Sequence, residues 1–202
     1  GVLAMTQRAG VKVQRVLKVD TSRRSSHSNA YFTGLGQVKR VVLFDTLLAQ
    51  MSHAQILAIL AHELGHWKKH HVLYRMLVMQ CLTVLAAYAV FRLAPAPWLP
   101  GLLGMTAASF PVRVVILAMW GSLCSFPLTP LFAYWSRTHE RQADAFAVEL
   151  HGEANDLADA LAKLGRENLA NLHPHPWYAA FYFSHPPLTE RIGHLRALAY
   201  RA

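Results

Sequence analysis

The sequence predicts a mainly α-helical chain with a small antiparallel β-sheet and two transmembrane helices, built around one histidine-bearing helix. Three observations carry this. His62-Glu63-Leu64-Gly65-His66 lies inside an apolar, helix-like segment. Two apolar runs, 72–93 and 114–136, are long enough to cross a bilayer. Three short stretches ahead of them have the composition of strands. The chain of 202 residues is 53% hydrophobic and only 15% charged, with a mean hydropathy of +0.21. That is too apolar for an ordinary soluble domain and implies contact with membrane lipid. We expect a single domain, 1–202, that is a piece of a longer protein, because Gly1 to Met5 is too short for a signal peptide.

Taken in order, residues 11–20 alternate apolar and polar side chains at several positions and predict a strand. A polar loop, 21–28, follows. Asn29 to Thr33 predicts a short strand closed by Gly34 and Gly36, and Val38 to Phe44 a third. An antiparallel sheet of these three would leave an open edge at Asn29, Ala30, Tyr31 and Phe32, where an extended peptide can be held by backbone hydrogen bonds. Asn29 also suits a turn.

The metal-binding helix starts near Ser52, which with Gln55 makes a capping box. Apolar residues recur at Ile56, Leu57, Ile59, Leu60, Leu64 and Trp67. Gly65 costs roughly 1 kcal/mol of helix propensity, and a bulkier side chain there would crowd a neighbouring helix or the site. His70 lies two turns beyond His62 and could face the site, but His53, His70 and His71 are expected at the membrane interface.

The run Met76 to Phe91 is uncharged, and Arg75 and Arg92 flank it. Pro95, Pro97, Pro100 and Gly101 end the pattern, so 94–112 predicts a hairpin connection. In the second run, Pro127 and Pro130 should kink the helix. Residues 153–171 predict a packing helix, 171–176 a loop, and Trp177 to Phe183 an aromatic segment that lines a cleft or faces the interface. Ser184 to Ile192 opens a last helix, with prolines in its first turn. Cys81 and Cys124 sit in apolar runs and suggest neither a disulfide framework nor a thiolate metal site.

The chemistry follows from spacing. Residues four apart share a helix face, so His62 and His66 can reach one metal ion while Glu63 stands beside its water. Two spans return the chain to the side it left, so a third ligand is expected just after residue 136. Glu140 is there, with Asp144 one turn on. Glu140 fits a ligand, and Asp144 fits an acceptor for a ligand histidine's second N–H. The alternative is a solvated charged face with Arg137 and Arg141. Lys68, Lys69, Arg75, Arg137 and Arg141 outnumber Arg92 and Arg113 of the connecting loop, which puts the site on the cytoplasmic side. Lysine and arginine flanking membrane segments on one side are the plain reading of the net charge of +9. No nucleic-acid module accompanies it, so nucleic acid is not an expected partner.

Five ordered motifs resemble the catalytic half of the type I CAAX prenyl endopeptidases, integral-membrane zinc metalloproteases. These are Ser25 to Gly34, Lys39 to Leu48, Ala61 to Trp67, Glu140 to Asp144, and Ser184 to Pro187 with Glu190-Arg191. The resemblance implies a zincin-like (gluzincin) domain holding one Zn2+ through His62, His66 and Glu140, with Glu63 as catalytic base. It also implies Asn29, His185 and Arg191 around the substrate or its tetrahedral intermediate. The expected activity is hydrolysis of peptide bonds by zinc-activated water. The expected partner is a peptide or protein, C-terminally prenylated in the family's eukaryotic members. An alanine-, leucine- and arginine-rich composition points instead to a bacterial inner membrane. A heat-shock-type quality-control protease and a non-catalytic zinc-stabilised membrane scaffold are the alternatives.

Overall fold

The computed structural model describes residues 1–23, 29–33 and 39–200. Among these, the order is α1 (Val2–Arg8), β1 (Val13–Val19), β2 (Ala30–Thr33), β3 (Lys39–Phe44), α2 (Asp45–Gln50), α3 (His53–Lys68) and α4 (His71–Leu93). There follow α5 (Phe110–Ser125), α6 (Thr129–His151), α7 (Ala154–Glu167), α8 (Pro176–Tyr182) and α9 (Leu188–Ala199). The expected closure of β2 at Gly34 and Gly36, and residues 25–28 of the first motif, lie outside the described residues.

One unit comprises Gly1–His71 with Ala133–Ala202. Its sheet is mixed, in the order β1-β3-β2, and not antiparallel as expected. β2 pairs antiparallel with β3, while β1 pairs parallel with β3 on its other side. The two outer strands therefore run opposite ways, and the connection between them needs only to pass the end of β3. Asp45 fixes that end: its Oδ1 accepts the backbone N–H groups of Thr21 at 2.9 Å and Ser22 at 3.1 Å. Alternation identifies a strand but not its neighbour, which is why the sequence did not reveal this order.

α3 is the axis of the core. Both halves of its capping box form, with Gln55 N–H donating to Ser52 Oγ at 3.2 Å and Ser52 N–H to Gln55 Oε1 at 3.0 Å. Ala58 to His62 are buried without interruption, as in a helix surrounded on every side. α1, β2 and α7 pack around it, and α7 pairs with α9. Leu60, Leu64, Val41, Leu47 and Leu195 are fully inaccessible.

The second unit, Val72–Phe132, is built differently. α4 spans about 35 Å at 1.5 Å per residue and leaves Val72, Leu77, Leu85, Tyr88 and Phe91 exposed. Two helical segments, His71–Leu93 and one beginning at Phe110, are long and apolar enough to cross a membrane. Exposure of such side chains all round a helix suits lipid and not water. The connection between the helices holds a short 3-10 turn, Leu99–Leu103, closed by Gly104 at φ 71°. The Arg113 guanidinium ties it by donating to the carbonyls of Ala94, Ala96 and Ala108. Pro127 lies in a second 3-10 turn, Phe126–Leu128, and Pro130 in the first turn of α6, so the regular helix breaks where the prolines predict.

Candidate metal centre

α3 supplies the first two donors. His62 Nε2 and His66 Nε2 stand 3.2 Å apart, one turn from each other on one face. α6 supplies the third. Glu140 Oε1 is 3.2 Å from His66 Nε2, and Glu140 Oε2 is 3.5 Å from His62 Nε2. A tetrahedral zinc ion with bonds of about 2.0–2.1 Å separates its ligand atoms by about 3.3–3.4 Å, so this triangle has the size zinc requires. Among the described residues, these three form the one His/Cys/Asp/Glu group compact enough to hold a metal ion.

The two helices approach this closely because residue 65 is glycine. A Cβ there would lie 2.9 Å from Ala143 Cα and 3.1 Å from the Ala143 carbonyl oxygen. Both helices thus meet at the level of the donors.

Behind the donors lies a layer of support. Asp144, one turn beyond Glu140, brings Oδ1 within 2.8 Å of His62 Nδ1, away from the ideal hydrogen-bond line. The Arg191 guanidinium grips the same carboxylate with two prongs, Nε donating to Oδ2 at 2.9 Å and Nη2 to Oδ1 at 2.6 Å. Its third nitrogen, Nη1, lies 3.3 Å from Glu140 Oε2. Arg191 is therefore turned inward onto two carboxylates. His185 Nδ1 is 2.9 Å from Glu140 Oε2, and its ring is 64% exposed. Glu140 Oε2 is buried with nitrogens on three sides, none of which gives it a hydrogen bond of good geometry. A buried oxygen of that kind, beside two imidazole nitrogens, suits a cation.

The electrostatics agree. Burial pushes the Glu63 carboxyl above its ordinary pKa, and the neighbouring His62 and His66 only partly oppose it. Burial pushes His66 down, but the hydrogen-bonded Glu140 carboxylate together with Glu63 more than reverses this, so the imidazole rises. Burial likewise lowers Arg191, and Asp144, Glu140 and Glu63 together raise it further than burial lowers it. A raised Glu63 is better matched to taking and returning a proton near neutrality than an ordinary carboxylate.

The predicted edge residues lie on β2, an outer strand packed against α3. Ala30 is buried and Tyr31 is exposed. Asn29 precedes the strand, and its side-chain Oδ1 accepts the Ala30 N–H at 2.8 Å. A cleft of about 450 Å³ is lined by residues that include Leu161, Tyr182, Phe183, His185 and Arg191. Part of the aromatic segment thus lines a cleft, while Trp177 and Tyr178 are exposed. His71, expected at the membrane interface, is instead 4% exposed and sits with Nδ1 3.0 Å from His66 Nδ1. A buried polar ring beside a donor is no surface residue. The sequence signal for it was only its position five residues after His66.

Two histidines and a glutamate from two helices could together hold a metal ion, and with a second glutamate inside the histidine pair they have the residue types found at the metal sites of zinc-dependent peptidases. Comparison with known proteins makes the class specific. The model of Peptidase family M48 matches residues 2–199, and the chain belongs to that family. The chain is 40% identical over 193 residues to CAAX prenyl protease 1 homolog of Arabidopsis thaliana, covering 89% of this chain and 42% of that protein. It is 37% identical over 210 residues to CAAX prenyl protease 1 of Saccharomyces cerevisiae, covering 94% and 45%. It is 33% identical over 233 residues to the Homo sapiens homolog, covering 91% and 47%. The crystal structure of S. mikatae Ste24p superposes with a TM-score of 0.85 at 31% identity, over 96% of this chain and 48% of that one. The chain thus spans less than half the length of these relatives. All of them are eukaryotic, so they lend no support to the expected bacterial inner membrane.

Proposed function

We propose that the chain carries the catalytic centre of a membrane-embedded zinc metalloendopeptidase of the CAAX prenyl protease type. The observation that carries this reading is the donor triangle of His62, His66 and Glu140 with Glu63 beside it. When bound there, zinc supplies Lewis acidity and lowers the pKa of its water. The chain's own residues do the rest. Glu63 accepts the proton from the attacking water and returns it to the leaving amine. Asp144 orients His62 by taking its Nδ1–H, and Arg191 holds Asp144 in place. His185, exposed above Glu140, is available to the negative charge that develops on the scissile carbonyl oxygen. Asn29 leads into the outer strand, on which Ala30, Tyr31 and Phe32 offer the edge along which an extended substrate pairs.

A substrate follows from the relatives' names: a protein with a C-terminal prenylated CAAX sequence, met in the membrane by a multi-pass chain. The basic residues flanking 72–93 and 114–136 favour a site on the cytoplasmic side. We read 1–202 as one peptidase domain.

The test is cleavage of a prenylated CAAX peptide by the purified protein in detergent. Cleavage should stop with a chelator and return with zinc. Glu63→Gln should keep its zinc and lose activity by ~10²- to 10⁴-fold, the usual worth of a general base. Full activity in that variant, or turnover that persists in chelator, rules the proposal out.

A further inference from the structure

His71 has no part in the mechanism above, yet its ring is held on three sides. α3 ends at Lys68, Lys69 and His70 turn the chain, and α4 begins at His71. On an unbroken helix, residues five apart lie about 140° apart around the axis, so His71 would point away from His66. His70 prevents this. It adopts φ 56°, in the left-handed region, although it is not glycine. The turn brings the His71 ring back beside His66, Nδ1 to Nδ1 at 3.0 Å. On its other edge, His71 Nε2 is 2.9 Å from Gln142 Oε1. The His139 ring stacks on its face at 4.1 Å and an interplanar angle of 5°.

These contacts admit one assignment of protons. A neutral imidazole has one N–H donor and one acceptor nitrogen. His66 Nε2 faces His62 and Glu140, where a ligand must offer its lone pair, so the His66 proton resides on Nδ1. His71 Nδ1 is then the acceptor, and its proton is on Nε2. The Gln142 amide oxygen, which can only accept, receives it. Both nitrogens of the His71 ring are matched, and each bond fixes the next.

We propose that His71 is a positioning residue for the metal centre: a neutral imidazole that accepts the Nδ1–H of His66 and aims the His66 Nε2 lone pair between His62 and Glu140. The two ligand histidines are thus supported unequally. His62 is backed by the charged Asp144 and His66 by a neutral ring. This inference rests on the reading of His62, His66 and Glu140 as metal ligands.

The test is the zinc dissociation constant of the full chain in detergent, measured by chelator competition. Thermal unfolding of the metal-free protein is recorded alongside. His66→Ala should abolish tight binding, and wild-type affinity in it overturns the ligand reading and this inference together. His71→Phe keeps the ring stack but offers no acceptor, and it should bind zinc ~10- to 100-fold more weakly. His71→Asn returns an oxygen near the position of Nδ1 and should come within about threefold of wild type, since the acceptor is what the ligand needs. Wild-type affinity in His71→Phe overturns the inference, as does a His71→Asn that binds as weakly as the phenylalanine variant. Should His71→Phe fail to fold, the exposed Gln142 decides. Gln142→Glu should tighten zinc binding and Gln142→Leu weaken it, and equal constants for the two overturn the inference.

Discussion

Gly65→Ala tests whether the close approach of α3 and α6 sets the metal centre. The added methyl would meet Ala143 Cα at 2.9 Å, and ordinary van der Waals contact begins at 3.4 Å. The helices must therefore part by about 0.5 Å, whereas metal–ligand distances tolerate only about ±0.2 Å. His62 and His66 travel with α3 and Glu140 with α6, so the separation opens the donor triangle directly. Alanine favours the helix by roughly 1 kcal/mol over glycine, while overpacking costs about 1–3 kcal/mol. The metal-free fold should lose no more than ~2 kcal/mol on that balance. The site should lose more, with zinc affinity falling ~10- to 100-fold, as misplacements of this order do. Chelator competition on the detergent-purified protein, beside thermal melts of the metal-free form, measures both. The clash is with backbone, so Ala143→Gly in the same chain should not restore affinity. Wild-type zinc affinity in Gly65→Ala, or full rescue by Ala143→Gly, refutes the reasoning.

Asp144→Asn keeps the shape of the side chain but removes the charge that both His62 and Arg191 contact. It should weaken zinc binding or peptidase activity by ~10- to 100-fold, read by metal analysis and initial rates, and an unchanged variant would count against the support role. Asp45 is held at about pH 2, below its ordinary 3.8, chiefly by hydrogen bonding with the Ser22 hydroxyl and the Thr21 N–H. A depressed carboxyl stabilises the fold above its unfolded pKa, and that contribution is lost as pH falls from about 3.8 toward 2. Asp45→Asn should accordingly melt earlier than wild type at neutral pH, with the gap closing below pH 4. A gap that stays constant across that range argues against the carboxylate as the anchor of the strand connection.

What could be seen in the sequence was what is local. Ser52 with Gln55, His62 with His66, and Glu140 with Asp144 are each spaced three or four apart, so helical geometry alone joins them. Two apolar segments stand out by length and lack of charge, and Glu140 follows the second of them. Partners distant along the chain left no such trace. Arg191 reaches Asp144 across 47 residues, and only a family resemblance drew attention to it. The short helices α1 and α2 were missed because seven and six residues carry too little periodicity to register. The sheet order was hidden because β1 and β3 are joined in parallel across the intervening β2. His71 departs from the interface its sequence position predicts for a sharper reason. A left-handed turn normally announces itself with glycine or asparagine, and here it is formed by His70, so no residue type marks the turn that carries His71 inward.

The distant residue makes sense of the local ones. Glu140 and Asp144 are 4% and 3% exposed, one turn apart on a single helix face. Two carboxylates that close and that buried repel each other and have lost their water. Neither the His62 nor the His66 imidazole brings a fixed positive charge. Arg191 does, and its planar fork reaches both carboxylates at once, two nitrogens on Asp144 and one toward Glu140. Lysine, a single point of charge, could not make that pattern. The arginine is brought there by α9, which packs on α7, which in turn packs on α3. The last helix thus supplies the cation that faces both buried acids of α6 at the candidate metal centre.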